Sequence, residues 1–285
     1  MSSPSEWRIA APQHLTLTEP VERVDIRVVG GTVNVVGKEM SGAHLELSAI
    51  EGPPLHVTHT GGTLTIAYDD VPWQDFLKLL TRKGWRRRAD LTLAVPASAR
   101  VRVGAVAAAT VVSGTTAETE VRGVAGETTL VGLGGSVRAD SVSGGVAAQG
   151  LRGPLSFHSV SGDLTVIDGG AAPLRADSVS GDLTVDVPEG AGNRTELCLT
   201  TVSGGIAVRL PQLPDTRVEA HTNSGSLSCA FDDLLSGGPW GPKRVSGTIG
   251  AGRGTLKATT VSGSLALLRR SPGAATEAPL LVKDA

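Results

Sequence analysis

The sequence predicts an all-β chain: a single β-solenoid, or β-helix, with an N-terminal β-region and one short helical insertion. Three observations point there. Val-Ser-Gly recurs seven times, with its Ser at 113, 143, 161, 180, 203, 246 and 262, and Asn223-Ser224-Gly225 falls in the same series. Taken in order, the eight Ser positions are 30, 18, 19, 23, 21, 22 and 16 residues apart, a period near that of stacked repeats. Around these corners apolar residues alternate with polar ones, the pattern of strands with one buried face. Composition agrees: 37 Gly and 3% aromatic residues in 285 suit a narrow coil with many bends.

Residues 1–5 carry no periodicity and read as a disordered start. Residues 6–96 form the N-terminal β-region. Val24, Ile26 and Val28 alternate with polar residues, then Val33 and Val35, Leu45 and Leu47, Leu55 and Val57, Leu64 and Ile66, and finally Leu91, Leu93 and Val95. Turns fall at Gly30-Gly31, Gly52-Pro53-Pro54 and Gly61-Gly62. This half caps the solenoid, whose open end would otherwise expose unpaired backbone.

The segment 71–89 breaks the strand rhythm. Trp73, Phe76, Leu77 and Leu80 fall at i, i+3, i+4 and i+7, one apolar helical stripe, with Pro72 and Asp75 suited to the first turn and Gly84 to the stop. Its flank is basic: Lys78, Arg82, Lys83, Arg86, Arg87 and Arg88, with Trp85 among them and no acid between 78 and 88.

Residues 97–270 hold the solenoid, expected to make about eight turns. With each Ser set at position zero, position −6 is Val137, Leu155, Leu174, Leu197, Val218 and Leu256, and position +3 is Val146, Leu164, Leu183, Ile206, Leu227, Ile249 and Leu265. Positions −6 and −4 share one parity while −1, +3 and +5 share the other, so the chain bends just before Ser-Gly. The valine at −1 is expected to pack inward, and the glycine to supply positive φ and close backbone approach. A Gly- and Pro-rich excursion from 231 to 244 carries Trp240. Residues 271–285 read as a disordered tail.

The units Val160–Val166 and Val179–Val185, both Val-Ser-Gly-Asp-Leu-Thr-Val, resemble the putative-adhesin β-strand-repeat family, a bacterial domain group of unknown function allied to toast-rack-like envelope-stress domains. Asp90–Pro96 is similar to the segment ahead of that family's repeats, and Val261–Leu265 followed by Arg269-Arg270 to its C-terminal end. The resemblance implies a β-solenoid-like fold, a link to the cell envelope or stress response, and no catalytic residues. Many relatives are tethered by a membrane helix, and no such stretch stands in this sequence.

A net charge of −2 gives no general attraction to nucleic acid. Cys198 and Cys229 sit in different columns and read as reduced thiols. Asp163 and Asp182 share column +2, and Asp140 and Asp177 share column −3; they read as solvated carboxylates. The rival reading is a carbohydrate-active solenoid enzyme with two such acids converging on one groove. His56 and His59 point to different faces and His158 and His221 stand three turns apart, so no metal set forms. The Gly-rich runs 132–135 and 250–254 open no helix and read as corners, not phosphate loops.

The expectation is therefore a non-enzymatic structural or interaction scaffold without cofactor or small-molecule substrate. Its interaction candidates are Trp73, Phe76, Lys78, Arg82, Lys83, Trp85, Arg86, Arg87, Arg88 and Trp240. A basic amphipathic helix of this kind meets a protein partner or a membrane surface. With no signal peptide or apolar span in the sequence, a cytoplasmic location with peripheral membrane association is expected.

Overall fold

The computed structural model describes residues 5–68, 87–169, 172–190, 195–236 and 243–271. Among them every regular element is a strand. The N-terminal part holds β1 (Ser5–Ile9), β2 (Gln13–Leu17), β3 (Arg23–Lys38), β4 (Ala43–Glu51), β5 (Leu55–Thr60), β6 (Thr63–Ala67), β7 (Arg88–Pro96) and β8 (Arg100–Ser113). The helix expected over 71–89 falls on residues outside the described ones as far as Arg86. Where description resumes the chain is extended: Arg88 and Ala89 belong to β7, pairing with both β3 and β4, so the C-terminal end of the expected insertion is strand.

Short strands then alternate between two stacks. The first holds β9 (Thr119–Gly123), β11 (Val137–Ser141), β13 (Leu155–Ser159), β15 (Leu174–Ser178) and β17 (Glu196–Thr201). The second holds β10 (Thr128–Val131), β12 (Val146–Gln149), β14 (Leu164–Ile167), β16 (Leu183–Asp186) and β18 (Ile206–Leu210). All are parallel within their stack. The alternating apolar positions explain this: Leu155, Phe157, Leu164 and Val166 of one turn, like most of their counterparts in the others, enter one continuous core. Each fully buried Leu or Val contributes roughly 1.5–3 kcal/mol.

β3 and β8 are long enough to pass through both stacks. Arg23–Arg27 pairs with β6 and with the start of β8, whereas Gly30–Val36 pairs with β7 and with Ala107–Ser113. Val28 and Val29, consecutive and both buried, mark where the inward face changes parity. Antiparallel β5 and β1 finish the first stack at this end, and antiparallel β4 and β2 the second.

The corners correct two expectations. Only six of the eight Ser-Gly pairs make the bend from first stack to second. Ser113 ends β8 inside the second stack, with Gly114 at φ 70°, and Ser246-Gly247 lies within β22 (Lys243–Ile249). The 30-residue gap is a missing serine: Val124-Ala125-Gly126 makes that bend, 18 residues before Ser143, and the Ser143 N–H bonds to the Val124 carbonyl. Second, four corner valines point outward: Val160 is 51%, Val179 50%, Val202 47% and Val261 46% exposed. The buried residue is the hydroxyl just before them. Ser159, Ser178, Thr201, Thr222 and Thr260 are interior, and each accepts the N–H of the corner glycine, at 2.7 Å for Gly162 and 3.2 Å for Gly204. A tight bend turns that amide away from solvent, and a neighbouring Oγ is the partner within reach.

The far end departs from sequence order. β19 (Thr216–Thr222) and β20 (Leu227–Cys229) follow β18 along the chain, β21 (Leu235–Ser236) and β22 come next, and β23 (Gly254–Thr260) and β24 (Leu265–Arg269) come last. Yet β23 lies between β17 and β19, and β24 between β18 and β20, parallel on both sides. The final repeat is wedged in before the one that precedes it. Antiparallel β22 covers the outer edge of β19, which explains why the wedge can only enter on the inner side.

Cysteine pairs test this order. With Cys198 and Cys229 changed to Ser, Thr200→Cys with Thr259→Cys is expected to close a disulfide within one chain, because the two positions are register partners. Thr200→Cys with His221→Cys is expected to stay reduced, since two strand spacings, about 9.6 Å, exceed the reach of a disulfide. Thiol counting by mass spectrometry reads both.

Candidate functional site

The sequence-derived interaction residues do not assemble into a described site. Trp73, Phe76, Lys78, Arg82, Lys83, Trp85, Arg86 and Trp240 lie outside the described residues. Arg87 lies over the ring of buried Tyr68, 5.4 Å from its centroid, and its carbonyl accepts the Gly30 N–H at 3.1 Å. Arg88 donates from Nε to Asp90 at 3.0 Å.

Nor do the four carboxylates line one groove. Asp163 accepts the Asp182 N–H at 2.8 Å and Asp182 accepts the Gly205 N–H at 2.7 Å, so each caps the corner of the next turn. Asp140 and Asp177 stand instead on the outer face of the first stack. His56 lies 3.8 Å from Glu6 while His59 bonds Glu19 and the Pro20 carbonyl, so the two histidines take separate partners.

That outer face is where charge is organised. Parallel register places equivalent residues one strand apart, so side chains form rows across the turns. One row runs Asp25, Arg102, Glu120, Arg138, Ser156, Arg175, Cys198. The row beside it runs Arg122, Asp140, His158, Asp177, Thr200. Arg102 pairs with Glu120 at 2.7 Å, Arg122 with Glu120 at 2.5 Å, Arg138 with Asp140 at 2.9 Å and Arg175 with Asp177 at 2.8 Å. His158 lies between the two aspartates, 3.2 Å from Asp140 and 3.8 Å from Asp177. Burial pushes the Asp25 carboxyl above its ordinary pKa, against the pull of Arg27 and Arg102.

Two shallow hollows open on this face. One, of about 430 Å³, is lined by Arg23, Arg100, Arg102, Asp25, Glu118 and Glu120. The other, of about 440 Å³, is lined by Pro154 and Pro173, by Arg138, Ser156 and Arg175, and by Glu118 and Glu196. The signal for the second was present in the sequence: Arg-Ala-Asp occurs at 138–140 and again at 175–177, at the same place in two repeats. It becomes a site only when register sets Arg138 and Arg175 on either side of Ser156.

No family model matches the chain, and neither does any curated protein. Solved structures do. They include a putative adhesin from Bacteroides fragilis (12% identity, TM-score 0.48, covering 91% of this chain and 98% of that one). A putative lipid binding protein from Parabacteroides distasonis matches at 13% identity and TM-score 0.46, covering 92% and 98%. A putative cell adhesion protein from Clostridium sporogenes matches at 11% identity and TM-score 0.28, covering 91% and 100%. By name, the structural neighbours are thus adhesin, cell-adhesion and lipid-binding proteins.

Proposed function

We propose that this protein is a non-enzymatic, adhesin-like β-repeat scaffold that makes contact through the outer face of its first stack. The observation that carries this reading is the register-locked array of Arg, Asp, Glu and His side chains across consecutive turns. Fixed by backbone pairing, these groups are preorganised for contact, so binding loses little conformational freedom. The acids that an enzymatic reading would need are already engaged. Asp163 and Asp182 hold backbone amides, and Asp140 and Asp177 hold arginines.

The test is photo-crosslinking in the source cell. A photoreactive residue at Arg122 or Thr200, on the outer face of the first stack, is expected to capture a discrete adduct. The same residue at Thr165, on the outer face of the second, is expected to capture none. Equal labelling from both faces would overturn the proposal. So would glycan cleavage by the purified protein that Asp140→Asn or Asp177→Asn abolishes.

A further inference from the structure

We infer that the hollow between Arg138 and Arg175 binds the carboxylate of an acidic saccharide; this rests on the scaffold reading above and names what the outer face takes. Arg138 in β11 and Arg175 in β15 flank Ser156 in β13, one register step on each side. Their Cα atoms are therefore two strand spacings, about 9.6 Å, apart. Two arginine side chains at that separation can converge on one group above the small serine.

Both guanidiniums are held ready. Nε of Arg138 donates to Asp140 at 2.9 Å and Nε of Arg175 donates to Asp177 at 2.8 Å. His158 braces the two aspartates from between them. Binding through Nε leaves the two terminal nitrogens of each planar fork to a ligand, and paired N–H donors match a carboxylate. The Ser156 hydroxyl, midway between them, bonds no described residue and adds a third donor.

The rest of the hollow selects what carries the carboxylate. Pro154 and Pro173, neighbours in adjacent turns, line the hollow with apolar rings suited to the C–H face of a sugar ring. Glu118 precedes the strand beyond Arg138 and Glu196 opens the strand beyond Arg175, one at each end. A continuous polyanion would meet repulsion there, whereas sugar hydroxyls flanking a single carboxylate would find acceptors. A uronic-acid residue presents these three features together: one carboxylate, an apolar ring face and hydroxyls on either side.

Isothermal titration with an aldotriouronic acid (one uronic acid on two neutral sugars), a neutral trisaccharide and inorganic phosphate tests this. Saturable binding of the aldotriouronic acid is expected, weakening as salt is raised. It should fall about tenfold or more in Arg138→Gln/Arg175→Gln, from the loss of two charge-assisted contacts. Arg217→Gln, three strand spacings from Arg175 on the same face, should leave it unchanged, and the neutral trisaccharide should not bind. Ser156→Phe, which fills the notch while keeping both arginines, should block binding without loss of fold. The inference is overturned by no saturable binding of the aldotriouronic acid, by equal affinity in the double variant, or by phosphate binding as tightly as the saccharide. Photo-crosslinks from Arg122 or Thr200 that persist after such a result would leave the scaffold proposal standing.

Discussion

Gly181→Ala is expected to cost about 3 kcal/mol or more of folding stability, measured by urea unfolding. Gly181 is the glycine of a regular corner, and its φ is not positive. What demands glycine is the turn beneath. A Cβ at 181 would strike the carbonyl of Gly162, and the same collision is built in at 162 over 144, 204 over 181, 263 over 204 and 225 over 263. Backbone meets backbone, so no side chain can move aside. Corner glycines form a ladder in which each excludes a side chain from the next. Gly150 gives the contrast: it has φ 64° and open space around its missing Cβ, so Gly150→Ala should carry only the conformational penalty of about 1 kcal/mol. A similar loss at both positions would mean that φ, not close approach, sets the corner.

Asp186→Ala is expected to cost about 2–3 kcal/mol near neutral pH. Asp186 closes β16 with its side chain 9% exposed; it receives two bonds from Arg209, at 2.7 and 2.5 Å, and one from Arg270 at 2.7 Å. Arg270 also reaches Asp168 at 3.3 Å, tying the chain that follows the wedged repeat to turns formed about a hundred residues earlier. Arg209 is half exposed, which keeps the figure below that for a fully buried cluster. Burial works to raise the Asp186 pKa, but the hydrogen bonds from Arg209 and Arg270 outweigh it and hold the carboxyl below its ordinary 3.8. The folded value being the lower one, this stabilisation is complete above pH 3.8 and fades as pH falls through the depressed value. Urea unfolding of wild type and variant should therefore differ by a constant amount near neutrality and converge in acid. A gap that widened in acid would contradict the assigned pairing.

Much of the fold was legible because the repeat writes the same instruction many times. Leu155, Leu164, Leu174 and Leu183 are apolar at equivalent places, and period-two alternation leaves a strand only one face to bury. The valine before each Ser-Gly misled because outward valines in register look, in sequence, like a core row. Parity could not reveal that the bend places the hydroxyl of Ser159 or Thr201 inside. Ser113 and Ser246 misled for a related reason: a tripeptide carries no record of the stack it belongs to. The expected helix fell on residues outside the described part, except at Arg87–Ala89, where pairing with β3 and β4 draws the chain into the sheet.

The candidate site was legible in its parts but not as a site. Arg-Ala-Asp at 138–140 and at 175–177 is visible in the sequence, and the notch at Ser156 appears only in register. By itself, the sequence determined that the repeats are short strands bent at Val-Ser-Gly corners, because alternation and glycine act locally. The tertiary structure alone decided the order of the turns. The repeats 196–210, 216–229 and 254–269 present like columns of Leu, Thr and Gly, so local preference does not rank their stacking. Long-range contacts rank it: β22 closing the outer edge of β19, and Arg270 reaching back to Asp186 and Asp168, place the last repeat before its predecessor.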